Sequence, residues 1–147
     1  MADEAPTKDF LVVVQCHIVM ERCSGYFCER AVHHRTGGLA QYPQEQPLRA
    51  VYLTCGGCCG RALQRKLMHV AKQAKQRENI GPERMVVQLA TCITQESHHG
   101  PRCPHLDYLQ ALIARTGLAC RFDTHVSDRS AGLRETGVYA KGIAPTA

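Results

Sequence analysis

The chain has 147 residues, 44% of them hydrophobic and 21% charged. That is one domain with a real core, too short for two comfortable domains and too apolar for a disordered chain. With no Trp, five Tyr and three Phe, it lacks a stacking platform for bases. A net charge of +5 with a basic helix face reads as a solvated face, so nucleic acid is not an expected partner. The outlier is the supply of metal ligands, nine Cys and eight His.

The opening Met1-Ala-Asp-Glu is acidic, and the first apolar run, Phe10 to Val14, is short. The expectation is no signal peptide, no membrane span and a cytoplasmic location, where disulfides rarely persist. An odd number of cysteines also strands one thiol in any complete disulfide framework.

In chain order, residues 1–9 read as a tail. Phe10 to Gln15 is a short run rich in β-branched residues, which predicts a strand. Tyr26 to Arg35 predicts a short helix stopped by Gly37-Gly38. Leu48 to Thr54 predicts a second strand. Leu63, Leu67, Val70, Ala71 and Ala74 recur at helical spacing, with Arg65, Lys66, Lys72 and Lys75 off that stripe, and Gly81-Pro82 ends the helix. Met85 to Thr91 predicts a third strand. Leu106, Leu109, Leu112 and Ile113 mark a helix closed by Gly117, and Ala119 to Thr124 a fourth strand. The first three strands are nearly continuous in apolar character, as for strands buried on both faces. Residues 127–147 are Gly-rich and polar, and read as a tail. Strands alternating with helices predict a small three-layer α/β domain over residues 10–126, flavodoxin-like or Rossmann-like, with a four-stranded parallel sheet.

Such a sheet puts the carboxyl ends of all its strands on one edge, where open α/β sheets bind ligands. Each strand here delivers a Cys or His to that edge: Cys16 and His17, Cys55, Cys92, and His125. The loops add Cys23 and Cys28, then Cys58 and Cys59, then His98, His99, Cys103 and His105. Eight of the nine Cys are therefore expected on one rim. Cys120, at the start of the last strand, is expected at the far end as a small buried hydrophobe.

Crowded thiolates repel unless a cation neutralises them, and thiolate with imidazole suits zinc, an iron–sulfur cluster or copper(I). The glycines of Cys55-Gly-Gly-Cys58 allow a tight turn and leave amides free to point at sulfur. A helix N-terminus near Gly60, with Arg61, lowers the pKa of nearby thiols. Cys16, Cys55, Cys58 and Cys92 are expected deepest, as an inner set close enough to share a metal. Cys23, Cys28, Cys59 and Cys103 form an outer set.

These positions together resemble the CGGC domain: the tetrapeptide Cys55-Gly-Gly-Cys58, Cys16 at a strand end, the Cys23 and Cys28 pair, Cys92, Cys103 and the closing Thr124-His125. The resemblance covers residues 10 to 126. It implies a zinc-binding role, and with the thiol chemistry the expectation is a Cys/His-rich metal-binding protein, zinc above all and an iron–sulfur cluster as the alternative, with a sensing, storage or delivery role. Together with the rim assignment, the candidate ligands are Cys16, Cys23, Cys28, Cys55, Cys58, Cys59, Cys92, Cys103 and His125. The chain departs from the family in carrying Cys59 where Pro usually follows the tetrapeptide.

Two enzymatic readings compete. Cys55-x-x-Cys58 between a strand and a helix is the setting of a thiol–disulfide oxidoreductase. Cys55 through Arg61 also fits Cys-x5-Arg, the anion loop of phosphatases and arsenate reductases, although Ala62 stands where a Ser or Thr would help the leaving thiolate.

Overall fold

The computed structural model describes residues 8–58, 61–96 and 100–126. Both tails, apart from Lys8, Asp9 and the stretch up to Val126, lie outside the described residues, as do Cys59, His98 and His99.

Four strands, β1 (Phe10–Gln15), β2 (Arg49–Thr54), β3 (Met85–Leu89) and β4 (Ala119–Phe122), form one sheet in the order β2-β1-β3-β4. Every pairing is parallel. The helices are α1 (Tyr26–His34), α2 (Arg61–Glu78), the single turn α3 (Thr91–Thr94) and α4 (Leu106–Thr116). The strand order 2-1-3-4 is that of the flavodoxin-like α/β arrangement, whose ligand crevice opens between β1 and β3.

Strand alternation splits the core in two. Phe10, Val12 and Val14 face Leu63 and Leu67 of α2 and Leu109 and Ile113 of α4. Leu11 and Val13 face Ala31 and Val32 of α1, with Leu39 and Tyr42 just beyond it. The sheet is thus covered on both faces, which parallel strands require.

β1 and β3 are buried at every position. β2 departs from the expected two-sided burial: it is an edge strand, half-buried to exposed along its length. Apolar content marks a strand but not its place in the order, and the centre went to β1 and β3.

The helix ends follow local chemistry. Gly117, at φ 82°, closes α4, a left-handed cap that glycine adopts without steric cost. α2 stops at Glu78, before Asn79 at φ 56°. Asp9 is not loose tail: its carboxylate takes two hydrogen bonds from Arg84, at 3.0 and 2.8 Å.

Gln88, fully buried in β3, ties the layers together. Its amide nitrogen donates to the carbonyls of Gly38, Phe122 and Asp123, and its oxygen accepts from the Tyr42 hydroxyl. The glycine pair follows from the same packing. A Cβ on Gly38 would lie 2.0 Å from the Asp123 carbonyl oxygen, and one on Gly37 2.1 Å from that of Thr124. The segment after β4 is thereby seated against the sheet.

Candidate metal centre

Each strand end places its residue through the ladder itself. The Cys55 amide donates to the Gln15 carbonyl and the Ala90 amide to the Val14 carbonyl, both at 2.9 Å. Cys16 follows β1, Cys55 follows β2, and Cys92 lies in α3, two residues beyond Ala90. Because the strands are parallel, these cysteines and His125, three residues past β4, come to one edge as expected.

From Cys16 the chain makes a short turn, in which the Met20 amide bonds to the Cys16 carbonyl and the Cys23 amide to the Val19 carbonyl. Gly25, at φ 82°, then starts α1, which carries Cys28. On the other side, the Cys103 amide donates to the Ile93 carbonyl at 2.9 Å, drawing the loop before α4 back to the rim.

Backbone amides point at four of the sulfurs, each at 3.4 Å. The Cys16 amide meets the Cys92 sulfur, His17 meets Cys55, Gly25 meets Cys23 and His105 meets Cys103. Amide donors stabilise thiolate over thiol and tune sulfur-ligated metals. Among the described residues they come from neighbouring strand ends and turns, and the Gly56 amide of the Gly-Gly turn donates to the Thr54 hydroxyl. The turn's glycines serve conformation: Gly56 sits at φ 78° and Gly57 at φ 121°, and a Cβ on Gly56 would lie 2.3 Å from Ala62 Cβ.

A hollow of about 30 Å³ opens among Cys16, Cys55, Cys58, Cys103, His17 and His105. The members of the expected inner set differ in depth and place. Cys55 is buried, Cys58 is exposed, and Cys16 and Cys92 are half-buried. Cys103, expected in the outer set, lines the hollow, and Cys92 does not. Among the described residues no three Cys, His, Asp or Glu side chains are gathered closely enough to hold a metal ion as they stand. The expectation that the inner four already share a metal-binding distance is therefore corrected.

The reason is geometric: the four leave different strand ends and turns at different depths, with Cys58 exposed and Cys92 outside the hollow. Burial above all, with Cys28, Cys16 and Cys23 nearby and against the lowering effect of the Cys16 amide, raises the Cys92 thiol to about 12. Burial also pushes Cys103 up, helped by Cys55, Cys16 and Cys58. The donor chemistry nonetheless fits a soft cation: thiols in number, imidazoles beside them and amides aimed at sulfur.

Beside Phe27 of α1, His125 stacks on the aromatic ring with centroids 4.7 Å apart. Buried Thr124 carries the preceding contacts. Its hydroxyl lies 3.2 Å from the Cys28 sulfur, and its amide donates to the Thr91 hydroxyl at 3.0 Å. Cys120 sits in β4 opposite Val87, packed on the core away from the rim, and burial raises its thiol to about 11. Eight cysteines are described, all without a disulfide.

His17, expected at the edge beside Cys16, lines the hollow and approaches the Thr54 hydroxyl at 3.2 Å. Two groups at the site escaped the sequence. Lys66, read as part of a solvated face, donates to the Thr54 carbonyl at 3.0 Å and to its hydroxyl at 3.1 Å, putting a positive charge beside the Cys55 turn. Asp123, at φ 80°, accepts from the Thr94 hydroxyl and from Gln95, and so steadies α3 where Cys92 sits.

Fold and rim together define a thiol-rich α/β protein whose cysteines crown the carboxyl edge of a parallel sheet. A family model described as the CGGC domain matches residues 11–125, and the chain belongs to that family. No curated protein and no solved structure matches it. Among the described residues no helix is long and apolar enough to cross a membrane.

Proposed function

We propose that the protein binds a soft metal ion, zinc foremost, through the thiols of its sheet edge, in a reducing cytoplasmic setting. The observation that carries this reading is the gathering of Cys16, Cys55, Cys58 and Cys103, with His17 and His105, around one hollow. Membership of the CGGC family supports it. Cys23, Cys28, Cys59, Cys92 and His125 complete the proposed ligand set.

A bound cation supplies the positive charge that crowded thiolates need, and it drives their deprotonation. The chain's own groups prepare for that. The amides of Cys16, His17, Gly25 and His105 donate to the sulfurs of Cys92, Cys55, Cys23 and Cys103, and Lys66 adds a fixed positive charge at the Cys55 turn. A cation held by these thiols would offset the like-charge contributions at Cys92 and Cys103. Sensing, storage and delivery all suit a site open at Cys58.

The test is metal content across three variants. Cys58→Ser and Cys103→Ser lose zinc because oxygen is a poorer ligand for a soft metal, whereas Cys120→Ser keeps it. Full retention in the first two sinks the reading.

A second reading has its own observation. Exposed Cys58 stands three residues after buried Cys55, just ahead of the 18-residue α2, a setting for thiol–disulfide exchange. A Cys55–Cys58 disulfide that forms and reduces reversibly, in a protein indifferent to chelators, favours this alternative.

A further inference from the structure

We propose that the outward face of α2 docks an acidic helix of a partner protein, laid along the line of Arg61, Arg65, Met68, Lys72 and Lys75 and reaching the rim at exposed Cys58. This surface is independent of what the thiols hold.

The positive charge of the chain is concentrated on this helix. α2 carries Arg61, Arg65, Lys66, Lys72, Lys75 and Arg77 against Glu78 alone. That excess equals the net charge of the whole chain, +5, so the remaining residues sum to no net charge and the positive field originates here. Lys66 turns in to Thr54, and Glu78 is taken by Arg49. Among the described residues Arg61, Arg65 and Lys72 make no ion pair, and Lys75 donates to the neutral side chain of Asn79. Arg61 with Arg65, and Lys72 with Lys75, stand at spacings where like charges repel across a helical turn. An incoming row of carboxylates removes that repulsion.

Geometry turns the charge into a surface. Arg61, Arg65, Met68, Lys72 and Lys75 follow one another at steps of four, three, four and three, which on an α-helix is a straight line about 21 Å long. All five are exposed, while Leu63, Leu67 and Ala74 of the same helix are buried in the core on the other side. Steps of four and three are those by which one helix meets another along its length. Met68, 55% exposed, stands at the middle with basic residues on both sides. An adaptable apolar centre inside a charged rim is the make-up of a protein interface. The line has no aromatic side chain on which bases could stack, and its centre is apolar where a duplex backbone presents phosphate. The observations therefore favour a protein carrying Asp or Glu at matching steps and an apolar side chain opposite Met68. Because α2 begins three residues after Cys58, such a partner ends beside an exposed thiol of the rim.

The test is a titration of the full-length chain with a fluorescent helical peptide bearing Glu at the same steps and Leu at its centre, read by anisotropy. A scrambled peptide of the same composition and a short DNA duplex serve as competitors. Amide chemical shifts of the wild-type protein, which need no variant to fold, are expected to move along α2 on adding the peptide and to stay fixed in α1. The ordered peptide is expected to bind more tightly than either competitor. Arg65→Glu combined with Lys72→Glu lowers its affinity by about tenfold or more, and Met68→Ser lowers it several-fold. Arg30→Glu, on the opposite face of the sheet, leaves it unchanged. Equal binding of ordered and scrambled peptides, or indifference to Met68, reduces the face to plain charge attraction and overturns the proposal. A duplex that binds more tightly than the ordered peptide overturns it in favour of nucleic acid.

Discussion

The backbone amide of Cys16 donates to the sulfur of Cys92 at 3.4 Å, joining the ends of the two central strands across 76 residues of sequence. This contact sits at the crevice between β1 and β3, where the connections leaving the two strands lead to α1 and α4 on opposite faces of the sheet. The chemistry of the rim is thus tied to the most buried strands, and substitutions that disturb it are expected to register in stability as well as in metal binding.

The turn at the tetrapeptide is the sharpest local case. Gly56→Ala meets both a φ of 78° and Ala62 Cβ at 2.3 Å, whereas Gly57, at φ 121°, has open space around it. Gly56→Ala is expected to cost about 2–4 kcal/mol. Gly57→Ala costs about 1–2 kcal/mol from backbone strain alone. Chemical denaturation of the two variants checks the order.

Gln88 tests how the segment carrying Thr124 and His125 is held. Gln88→Leu leaves the carbonyls of Gly38, Phe122 and Asp123 and the Tyr42 hydroxyl without this partner. The expected loss is about 2–4 kcal/mol, the cost of stranding buried polar groups. Faster hydrogen exchange at the amides of Gly38 and Thr124, with slow exchange kept in β1, is the local signature.

The metal-free chain has a defined alkaline weakness. Burial raises the folded-state pKa of Cys120 to about 11, above the ordinary thiol value. The folded form therefore holds this proton more tightly than the unfolded form, and the stabilising contribution is complete below about pH 8.5 and lost as pH climbs towards 11. Cys120→Ala flattens the fall in melting temperature over that window. An unchanged slope contradicts the assignment.

Asp123 is expected to act on Cys92 through α3. Asp123→Asn replaces the carboxylate that accepts from the Thr94 hydroxyl and Gln95. Charge-assisted hydrogen bonds are worth roughly 1.5–3 kcal/mol, and part of that is lost. Cys92 should become more reactive towards alkylating agents than in the wild type, while Cys55 is unaffected.

Much of the fold was legible because its signals are local. Phe10–Gln15 reads as a strand from its β-branched run and is one, residue for residue. Gly117 reads as a helix stop and caps α4. Parallel topology followed from alternation, and with it the arrival of Cys16, Cys55, Cys92 and His125 at one edge. The edge position of β2 was not legible, since Arg49–Thr54 carries the apolar content of a central strand. Nor was the lining of the hollow: the path of each loop over the rim is set by helix packing, so Cys103 joined Cys55 there while Cys92 did not. Lys66 and Asp123 act through a pair of tertiary hydrogen bonds each, which leave no mark in spacing or composition.

The central claim, that these thiols serve a metal, is tested most directly by elemental analysis and absorption spectroscopy of the protein purified anaerobically. The account predicts a colourless protein with stoichiometric zinc, whose removal by chelator lowers the melting temperature and exposes thiols to reagent. Metal-free protein whose rim cysteines titrate freely, with stability unmoved by added zinc, contradicts it.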